Sequence, residues 1–353
     1  GQDCVQHFNG MFAFALWDER RQQLFAARDR FGIKPFYYHA NGERFIFASE
    51  IKALFADAAT PRRVNDERLT DYLVYGYLDH TAETLFADIR QLPPAHRLVL
   101  RQGQMHIQRY WDLDPAQRLD DLSDQAASAR LHELFFDSVR LHLQSDVPLG
   151  TCLSGGLDSS AIVCATARLL DADGVDRAMI GERQRTFTAS FEDPAFDERR
   201  FAREVIAQTG AQPFFAFPQA EALNELLPDL IWHQEEPFGS TSIVAQWYVM
   251  QLAGQQGIKV MLDGQGSDEI FAGYHPFFSG LWANQLRRAD FAGLSRELEG
   301  FRGRHGAPPR ILLTGALGLC LPAAWRGRIQ RSRGRTQPAW LGQALADRER
   351  PWL

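Results

Sequence analysis

Cysteine is scarce in this chain: Cys4, Cys152, Cys164 and Cys320 are the only four in 353 residues. They show no metal-ligand spacing and no dense disulfide pattern, which excludes a zinc-ribbon module and a stapled secreted scaffold. Cys152 and Cys164 sit in apolar runs and read as buried thiols, and a reducing cytoplasm is the expected compartment. Long apolar stretches are also missing. The longest, Ile311 to Leu321, is too short to span a bilayer and contains glycines. No signal peptide is visible. Positive charge is not in excess, since the net charge is −6, and this argues against a general nucleic-acid binder. The chain opens on Gly1, enters a strand-like pattern at once and stops at Pro351-Trp352-Leu353 without a tail. The expectation is a piece of a larger polypeptide, cut at both ends.

What is present points to two or three folded domains with ample core: 353 residues, 45% hydrophobic and 23% charged. The most informative stretch is Leu153-Ser154-Gly155-Gly156-Leu157-Asp158-Ser159-Ser160. A strand, Val147 to Leu153, interrupted by Pro148 and Gly150, feeds a small glycine- and hydroxyl-rich turn. A helix opens near Asp158 and repeats Ala161, Ile162, Ala165 and Leu169 at helical spacing. Unpaired backbone N–H groups at such a turn favour an anion, and paired glycines let the backbone approach it, so the turn suits phosphate. Ser154, Ser159 and Ser160 offer hydroxyls. Asp158 beside a phosphate repels it unless a cation lies between, which argues for Mg²⁺. No lysine follows the glycines, so this is not the G-x-x-x-x-G-K-[ST] loop. A plain strand-to-helix turn with a serine/aspartate cap is the alternative.

The first hundred residues read as short antiparallel strands: Met11 to Trp17, Gln23 to Ala27, Pro35 to His39 and Arg44 to Ala48. Ser49 then reads as the cap of a helix that carries Ile51, Leu54 and Phe55 on one face. A helix over Asp66 to Tyr75 follows, then a hairpin of Arg97 to Leu100 and Gln104 to Tyr110 around Gln102-Gly103. Beyond Tyr110 to Pro115, read as an exit strand and linker, strands alternate with helices. The helices are Ser123 to Leu143, Phe196 to Thr209, Ala220 to His233 and Thr241 to Gly254. The strands are Thr186 to Phe191, Pro213 to Phe217 and Ile258 to Leu262. This alternation predicts a doubly wound parallel sheet, with ligands outside the carboxyl ends of its strands. Asp263-Gly264-Gln265-Gly266-Ser267-Asp268-Glu269 follows the last strand and is a second glycine-rich loop at such an end.

These strings resemble known ones. The loop at Ser154 resembles the pyrophosphate loop S-G-G-x-D-S of the ATP pyrophosphatases, which cleave ATP between its α and β phosphates and leave AMP on the activated substrate. Phe8 to Ala15, Ala27 to Pro35 and Phe47 to Leu54 look like the second half of a class II glutamine amidotransferase domain. Together they resemble the glutamine-hydrolysing asparagine synthetases. The fold class this implies is α/β: a partial α/β/β/α amidotransferase sandwich over 1–115, then a doubly wound parallel-sheet ATP-pyrophosphatase domain over 116–353, incomplete at its C-terminus.

The resemblance implies ATP and Mg²⁺ as cofactors. It places nucleotide contacts at Leu153, Ser154, Gly155, Gly156, Leu157, Asp158, Ser159 and Ser160. Further contacts fall at Ala189 and Ser190, at the end of the Thr186 strand, and at Asp263 and Gly264. Asp158 and Asp268 become the metal ligands. Gln265 takes the catalytic position of the second loop, where relatives commonly carry glutamate. A glutamine side chain cannot take up a proton, so any general-base role moves elsewhere or was never essential. Asp263 stands where relatives have serine. The Glu235-Glu236-Pro237-Phe238 segment resembles one near the acceptor site, and it could equally cap the Thr241 helix.

The family's glutaminase uses an N-terminal cysteine whose free α-amine is the base. Cys4 has three residues before it and reads as structural. No glutaminase nucleophile is assigned, and this chain is expected not to hydrolyse glutamine. Asp29, Arg30 and Lys34 read as fold or interface residues. Arg302, Arg304, Arg310, Arg326, Arg328, Arg331, Arg333 and Arg335 read as a solvated face.

The implied reaction is asparagine formation from aspartate, with glutamine-derived ammonia or ammonium, through β-aspartyl-AMP and with release of AMP and pyrophosphate. Two rivals stand beside it. One is adenylation of another carboxylate, as in β-lactam synthetases or amidotransferases of cell-surface polymers; the other is a non-catalytic nucleotide-binding scaffold. The expected partners are aspartate, glutamine or ammonia, and ATP. Nucleic acid and membrane are not among them, and a homodimer stays open.

Overall fold

The computed structural model describes residues 1–117, 119, 122–172, 177–194, 197–219, 221–308, 310–322 and 325. Arg326, Arg328, Arg331, Arg333 and Arg335 lie outside them. The chain divides into two compact units. Of the described residues, the first takes 1–119 and Leu226–Gly239, and the second takes Leu122–Glu225 and those from Ser240 onward. No helix among the described residues is long and apolar enough to cross a membrane.

The first unit opens with a 3₁₀ turn, Gln2–Gln6. Strands β1 (Ala13–Asp18), β2 (Gln23–Arg28), β3 (Tyr37–Ala40) and β4 (Phe45–Ala48) follow. Then come α1 (Ile51–Leu54), α2 (Asp66–Tyr75), β5 (Ile89–Gln91), β6 (His96–Arg101) and β7 (Gln104–Arg109). They make two antiparallel sheets, ordered β1-β2-β6-β7 and β4-β3-β5.

Strand alternation sorts the side chains into layers. Ala26 and Leu98 share one core with Phe36 and Tyr38, so the two sheets face each other there. Phe25, Ala27 and Val99 point to the other face of the four-stranded sheet and pack against Val5 of the 3₁₀ turn. Tyr37 and Ile46 point away from the central core toward Ile51 and Leu54 of α1. The layered sandwich expected from the sequence is present, and Cys4 and Val5 of the 3₁₀ turn, with Phe12 and Tyr110, pack on the outer face of its four-stranded sheet. The β6–β7 turn has positive φ at Gln102 (51°) and Gly103 (75°), the geometry that matches the twist of two paired strands.

Asp29 is a fold residue. Its buried carboxylate accepts from the amides of Phe31 and Ile33 on Oδ1, and of Phe12 and Lys34 on Oδ2. Arg28 ties down the same loop by donating to the carbonyls of Gly32 and Lys34. Arg30 donates to the Phe8 carbonyl at 2.6 Å.

The second unit contains α3 (Asp124–His142), β8 (Leu149–Cys152), α4 (Leu157–Asp171), β9 (Arg185–Ala189), α5 (Arg199–Thr209) and β10 (Gln212–Ala216). Helix α6 (Leu223–Gln234) passes into the first unit from Leu226. Helix α7 (Ser242–Gln255), β11 (Val260–Leu262), α8 (Ser267–Phe271), α9 (Pro276–Arg287), α10 (Phe291–His305) and α11 (Arg310–Cys320) complete it. The four strands form one parallel sheet ordered β10-β9-β8-β11.

Helices cover both faces of that sheet. Leu149 packs with Val139 of α3 and Ala165 of α4, and Leu153 with Val163 of α4 and Ala202 of α5. Cys152 and Phe187 turn to the opposite face, against Val249 and Ala253 of α7. The doubly wound sheet expected from the alternation is therefore what forms. Trp282, fully buried, centres a separate cluster joining α9, α10 and α11.

Three local readings change. Helix α5 begins at Arg199, three residues later than the pattern suggested, and α6 at Leu223 rather than Ala220. Helix α1 is not capped by Ser49: Glu50 occupies the N-cap, and the amides of Ile51 and Lys52 bond instead to the Glu235 carboxylate. A capping side chain 184 residues away has no local signal.

Candidate active site: a cleft at the switch point of the parallel sheet

In chain order the four strands are β8, β9, β10 and β11, yet in the sheet β8 sits between β9 and β11. The chain therefore runs outward from β8 through β9 to β10 and then crosses back to β11 on the other side of β8. The loops that leave the carboxyl ends of β8 and β11 flank the point where the winding reverses, which is where open α/β sheets bind ligands. These are the two glycine-rich loops picked out in the sequence. A cleft of about 440 Å³ opens there.

The first loop is anchored to β9. The amide of Leu153 donates to the Phe187 carbonyl at 2.9 Å, and Thr188 Oγ1 donates to the Leu153 carbonyl at 2.6 Å. Ser154 Oγ accepts from the Gly156 amide at 3.2 Å and lies 3.1 Å from Ser159 Oγ. Gly155 has φ of +84°, and a Cβ there would stand 2.6 Å from Cβ of Phe201 and 2.9 Å from the Ala202 amide nitrogen. Only glycine fits, on both backbone conformation and space. Gly156 caps α4 without any side-chain hydrogen bond, so the first-turn amides of this 15-residue helix are left for a ligand, and its dipole favours an anion.

The second loop closes on the first. A Cβ at Gly264 would lie 3.1 Å from Cβ of Asp158 and 3.4 Å from the Ser159 amide nitrogen. Asp263 Oδ1 accepts from the Gln265 amide at 3.2 Å. Asp268 lies over Gly273, where a Cβ would fall 2.0 Å from the Asp268 Oδ1 atom. Gly273 thus leaves the room in which that carboxylate sits. Tyr274 Oη donates to Glu269 Oε1 at 3.2 Å, and this bond, with burial and the charges of Glu269 and Asp268, raises the phenol above its ordinary value.

Of the residues expected from the sequence, Leu153, Ser154, Gly156, Asp158, Ser159, Ala189, Asp263, Gly264, Gln265 and Asp268 line this one cleft. Gly155, Leu157, Ser160 and Ser190 do not. Gly155 packs on α5, Leu157 points out at 86% exposure, and the buried hydroxyls of Ser160 and Ser190 have no hydrogen-bond partner among the described residues. Cys152 and Cys164, read from the sequence as buried thiols, are both partly exposed, and Cys152 lines the cleft. Burial first, then the Asp263 carboxylate, push its pKa up to about 12, so it stays a neutral thiol.

Sequence reasoning gave no role to Glu198, Gln246, Glu269 or Tyr274, which also line the cleft. Tyr274 lies just past α8, and no motif spacing marks it. Glu235 and Glu236 neither cap the Thr241 helix nor line this cleft. Helix α7 has no side-chain cap, and the two carboxylates bond within the first unit, Glu235 to α1 and Glu236 to the Leu85 amide at 2.6 Å.

The cleft's lining carries Asp158, Glu198, Asp263, Asp268 and Glu269, and no lysine, arginine or histidine among the described residues. A polyphosphate meets net negative charge there unless a cation accompanies it. Asp158 and Asp268 offer hard oxygen donors from two strand ends. Among the described residues no three His, Cys, Asp or Glu side chains come together as a self-sufficient metal cage. Two carboxylates, with phosphate oxygens and water making up the shell, is the way Mg²⁺ is ordinarily held beside a nucleotide, and the donor set fits it.

Comparison with known sequences agrees with this arrangement. The asparagine synthase family profile matches residues 130–347, and that of the glutamine amidotransferase domain matches residues 1–111. A glutamine-hydrolysing asparagine synthetase 3 of Bacillus subtilis is 34% identical over 296 residues, covering 78% of this chain and 45% of its own. A putative asparagine synthetase 2 of Methanocaldococcus jannaschii is 30% identical over 82% of this chain and 54% of its own length. The amidase chyE of Penicillium rubens is 32% identical over 78% of this chain and 42% of its own. The chain spans about half the length of the curated relatives it matches. It belongs to the asparagine synthase family, with a glutamine amidotransferase region ahead of the synthase region.

Proposed function

We propose that the protein forms an amide from a carboxylate at the cost of ATP, with aspartate as acceptor, glutamine-derived ammonia or free ammonium as nitrogen source, and asparagine, AMP and pyrophosphate as products. The observation that carries this is the convergence of the two glycine-rich loops, from β8 and β11, on one acidic cleft at the switch point. The α4 first-turn amides and the Ser154 and Ser159 hydroxyls hold the phosphates. The acceptor carboxylate attacks the α-phosphorus, giving β-aspartyl-AMP and releasing pyrophosphate. Ammonia then displaces AMP. Asp158 and Asp268 would hold Mg²⁺, and the chemistry it would supply there is neutralisation of phosphate charge. Leu153, Ala189, Asp263 and Gly264 are the remaining nucleotide contacts in the cleft. Gly155 shapes the turn from behind.

A second reading is favoured by Gln265, which lines the cleft with a side chain that cannot take up a proton. It keeps the same adenylation with a different acceptor carboxylate. The relatives named amidases are in keeping with such a change.

The test is product analysis of the full-length protein with ATP, Mg²⁺ and ammonium, offering aspartate and a panel of other carboxylates. Asparagine formed in a one-to-one ratio with AMP supports the first reading. Amide from another carboxylate, with none from aspartate, moves the assignment to the second.

A further inference from the structure

One wall of the cleft carries no charge. Helix α7 is joined to β11 by residues 256–259, so it ends at the amino ends of the strands and begins at their carboxyl ends, where the two glycine-rich loops lie. Ser242, Ala245, Gln246 and Val249 recur at i, i+3, i+4 and i+7 on α7, which puts them on one face, and all four line the cleft. Val249 carries that face into the core, in one cluster with Phe187 and Cys152. With Ala189 and Ala245 these side chains make an apolar wall. The carboxylates of the cleft come from elsewhere: Asp158 on α4, Glu198 at the start of α5, and Asp263, Asp268 and Glu269 after β11. The cleft is thus divided, with free amides and acids on the loop side and an uncharged surface on the α7 side.

Gln246 is the polar group one turn from Val249, between the apolar wall and the mouth of the cleft. It is exposed, and among the described residues its side-chain amide has no hydrogen-bond partner. A carboxamide offers an acceptor oxygen beside N–H donors. Adenine presents the complementary pair on one edge, the 6-amino donor beside a ring-nitrogen acceptor, and glutamine pairs with that edge through two hydrogen bonds. We propose that Gln246 is the residue that selects the nucleobase, reading the 6-amino edge of adenine while the ring lies on the Cys152, Phe187, Ala189 and Val249 wall. This rests on the nucleotide-binding part of the reading above. With the phosphates on the α4 amides, the α7 side is the surface left for an uncharged, planar group, since a base gains nothing from the acids opposite and an apolar wall gains nothing from a phosphate.

The test compares ATP with purine riboside triphosphate, which lacks the 6-amino group, each titrated calorimetrically into the full-length protein with Mg²⁺. Gln246→Leu keeps the bulk of the side chain and removes the amide. The parent is expected to bind ATP at least about tenfold more tightly than the analogue, and Gln246→Leu to bind the two within about twofold of each other. Magnesium pyrophosphate has no base. It is expected to bind parent and variant alike, which shows that the variant is folded with its loops in place. A parent without preference for ATP overturns the assignment. So does a preference that survives in the variant; a raised KM for the acceptor beside it would move Gln246 to the acceptor's side of the reaction. Equal loss of both nucleotides, with or without loss of magnesium pyrophosphate, overturns it too, because Gln246 then shapes the cleft without reading the base. Failure of the underlying reading looks different: the parent binds neither nucleotide nor magnesium pyrophosphate.

Discussion

The carboxylate of Glu235 caps helix α1, taking the amide hydrogens of Ile51 at 2.7 Å and Lys52 at 2.6 Å. Lys52 closes the arrangement, with its ammonium 3.3 Å from Glu235 Oε1 and 2.9 Å from Glu50. The same ammonium stands 5.6 Å from the Trp232 ring centroid. All five residues belong to the first unit. Glu235 itself has φ of +64°, a left-handed conformation that costs a non-glycine residue energy and is held by these bonds. Glu235→Ala is expected to lower stability by about 2 kcal/mol, through the lost cap and two amides left without their partner. Denaturant unfolding measures it, and a change within the error of the midpoint would show that water replaces the carboxylate at no cost.

Glu236 gives a dependence on pH. Burial raises its carboxyl pKa above the ordinary 4.5, with Asp79 and Glu235 adding to the rise and the bond from the Leu85 amide opposing it. A raised folded-state pKa means that stability from this group is complete below the ordinary value and is lost as pH climbs through the folded value. Glu236→Gln removes the charge and keeps an oxygen to accept from Leu85. Its melting temperature relative to the parent is expected to be higher at pH 7.5 than at pH 5. An offset that is the same at both pH values would falsify the burial argument.

Gly273 tests the geometry of the second loop. A methyl group there meets Asp268 Oδ1 at 2.0 Å, so Gly273→Ala must push the carboxylate aside. The expected result is at least about tenfold weaker binding of ATP in the presence of Mg²⁺, with small loss of stability, because the site is exposed. Gly155→Ala behaves oppositely. It strains a φ of +84° against the backbone of α5, and it is expected to lower stability on the order of 1–3 kcal/mol. Calorimetric titration beside thermal unfolding separates the two, and equal effects of both changes on both quantities would contradict the division of roles.

The acid lining of the cleft makes nucleotide binding dependent on a cation. With five carboxylates and no basic side chain among its described residues, ATP without divalent ions is expected to bind at least about tenfold more weakly than with Mg²⁺. Asp158→Asn and Asp268→Asn each relieve repulsion while removing a ligand. Both variants are expected to lose most of that Mg²⁺ dependence. Cation-independent ATP binding by the parent would mean that another group neutralises the phosphates.

Much of this was legible in the chain because the signals are local. Strand-to-helix periodicity around Ser154 and Asp263 marked both loops, and alternation of strands and helices marked the parallel sheet. The antiparallel layers followed from short strands with turns such as Gln102-Gly103. Unreadable were relationships carried by tertiary contact. Glu235 displaced Ser49 as the cap of α1 because a charged acceptor aimed at two amides outcompetes a neighbouring hydroxyl. Gly155 and Ser190 belong to the motif strings and yet do not line the cleft: Gly155 lies against Phe201 and Ala202 of α5, and the Ser190 amide donates to the Ala216 carbonyl of β10. The hydrogen bond from Tyr274 to Glu269 was equally unreadable, because no motif spacing links the two.

The most direct test of the central claim, that the cleft adenylates a carboxylate, is identification of the nucleotide product. The full-length protein is incubated with ATP, Mg²⁺, aspartate and ammonium, and the nucleotides are resolved chromatographically. The account predicts AMP and pyrophosphate whose appearance requires the carboxylate and is abolished in Asp158→Asn. ADP and phosphate as the products, or AMP that forms equally well without any carboxylate, would contradict it.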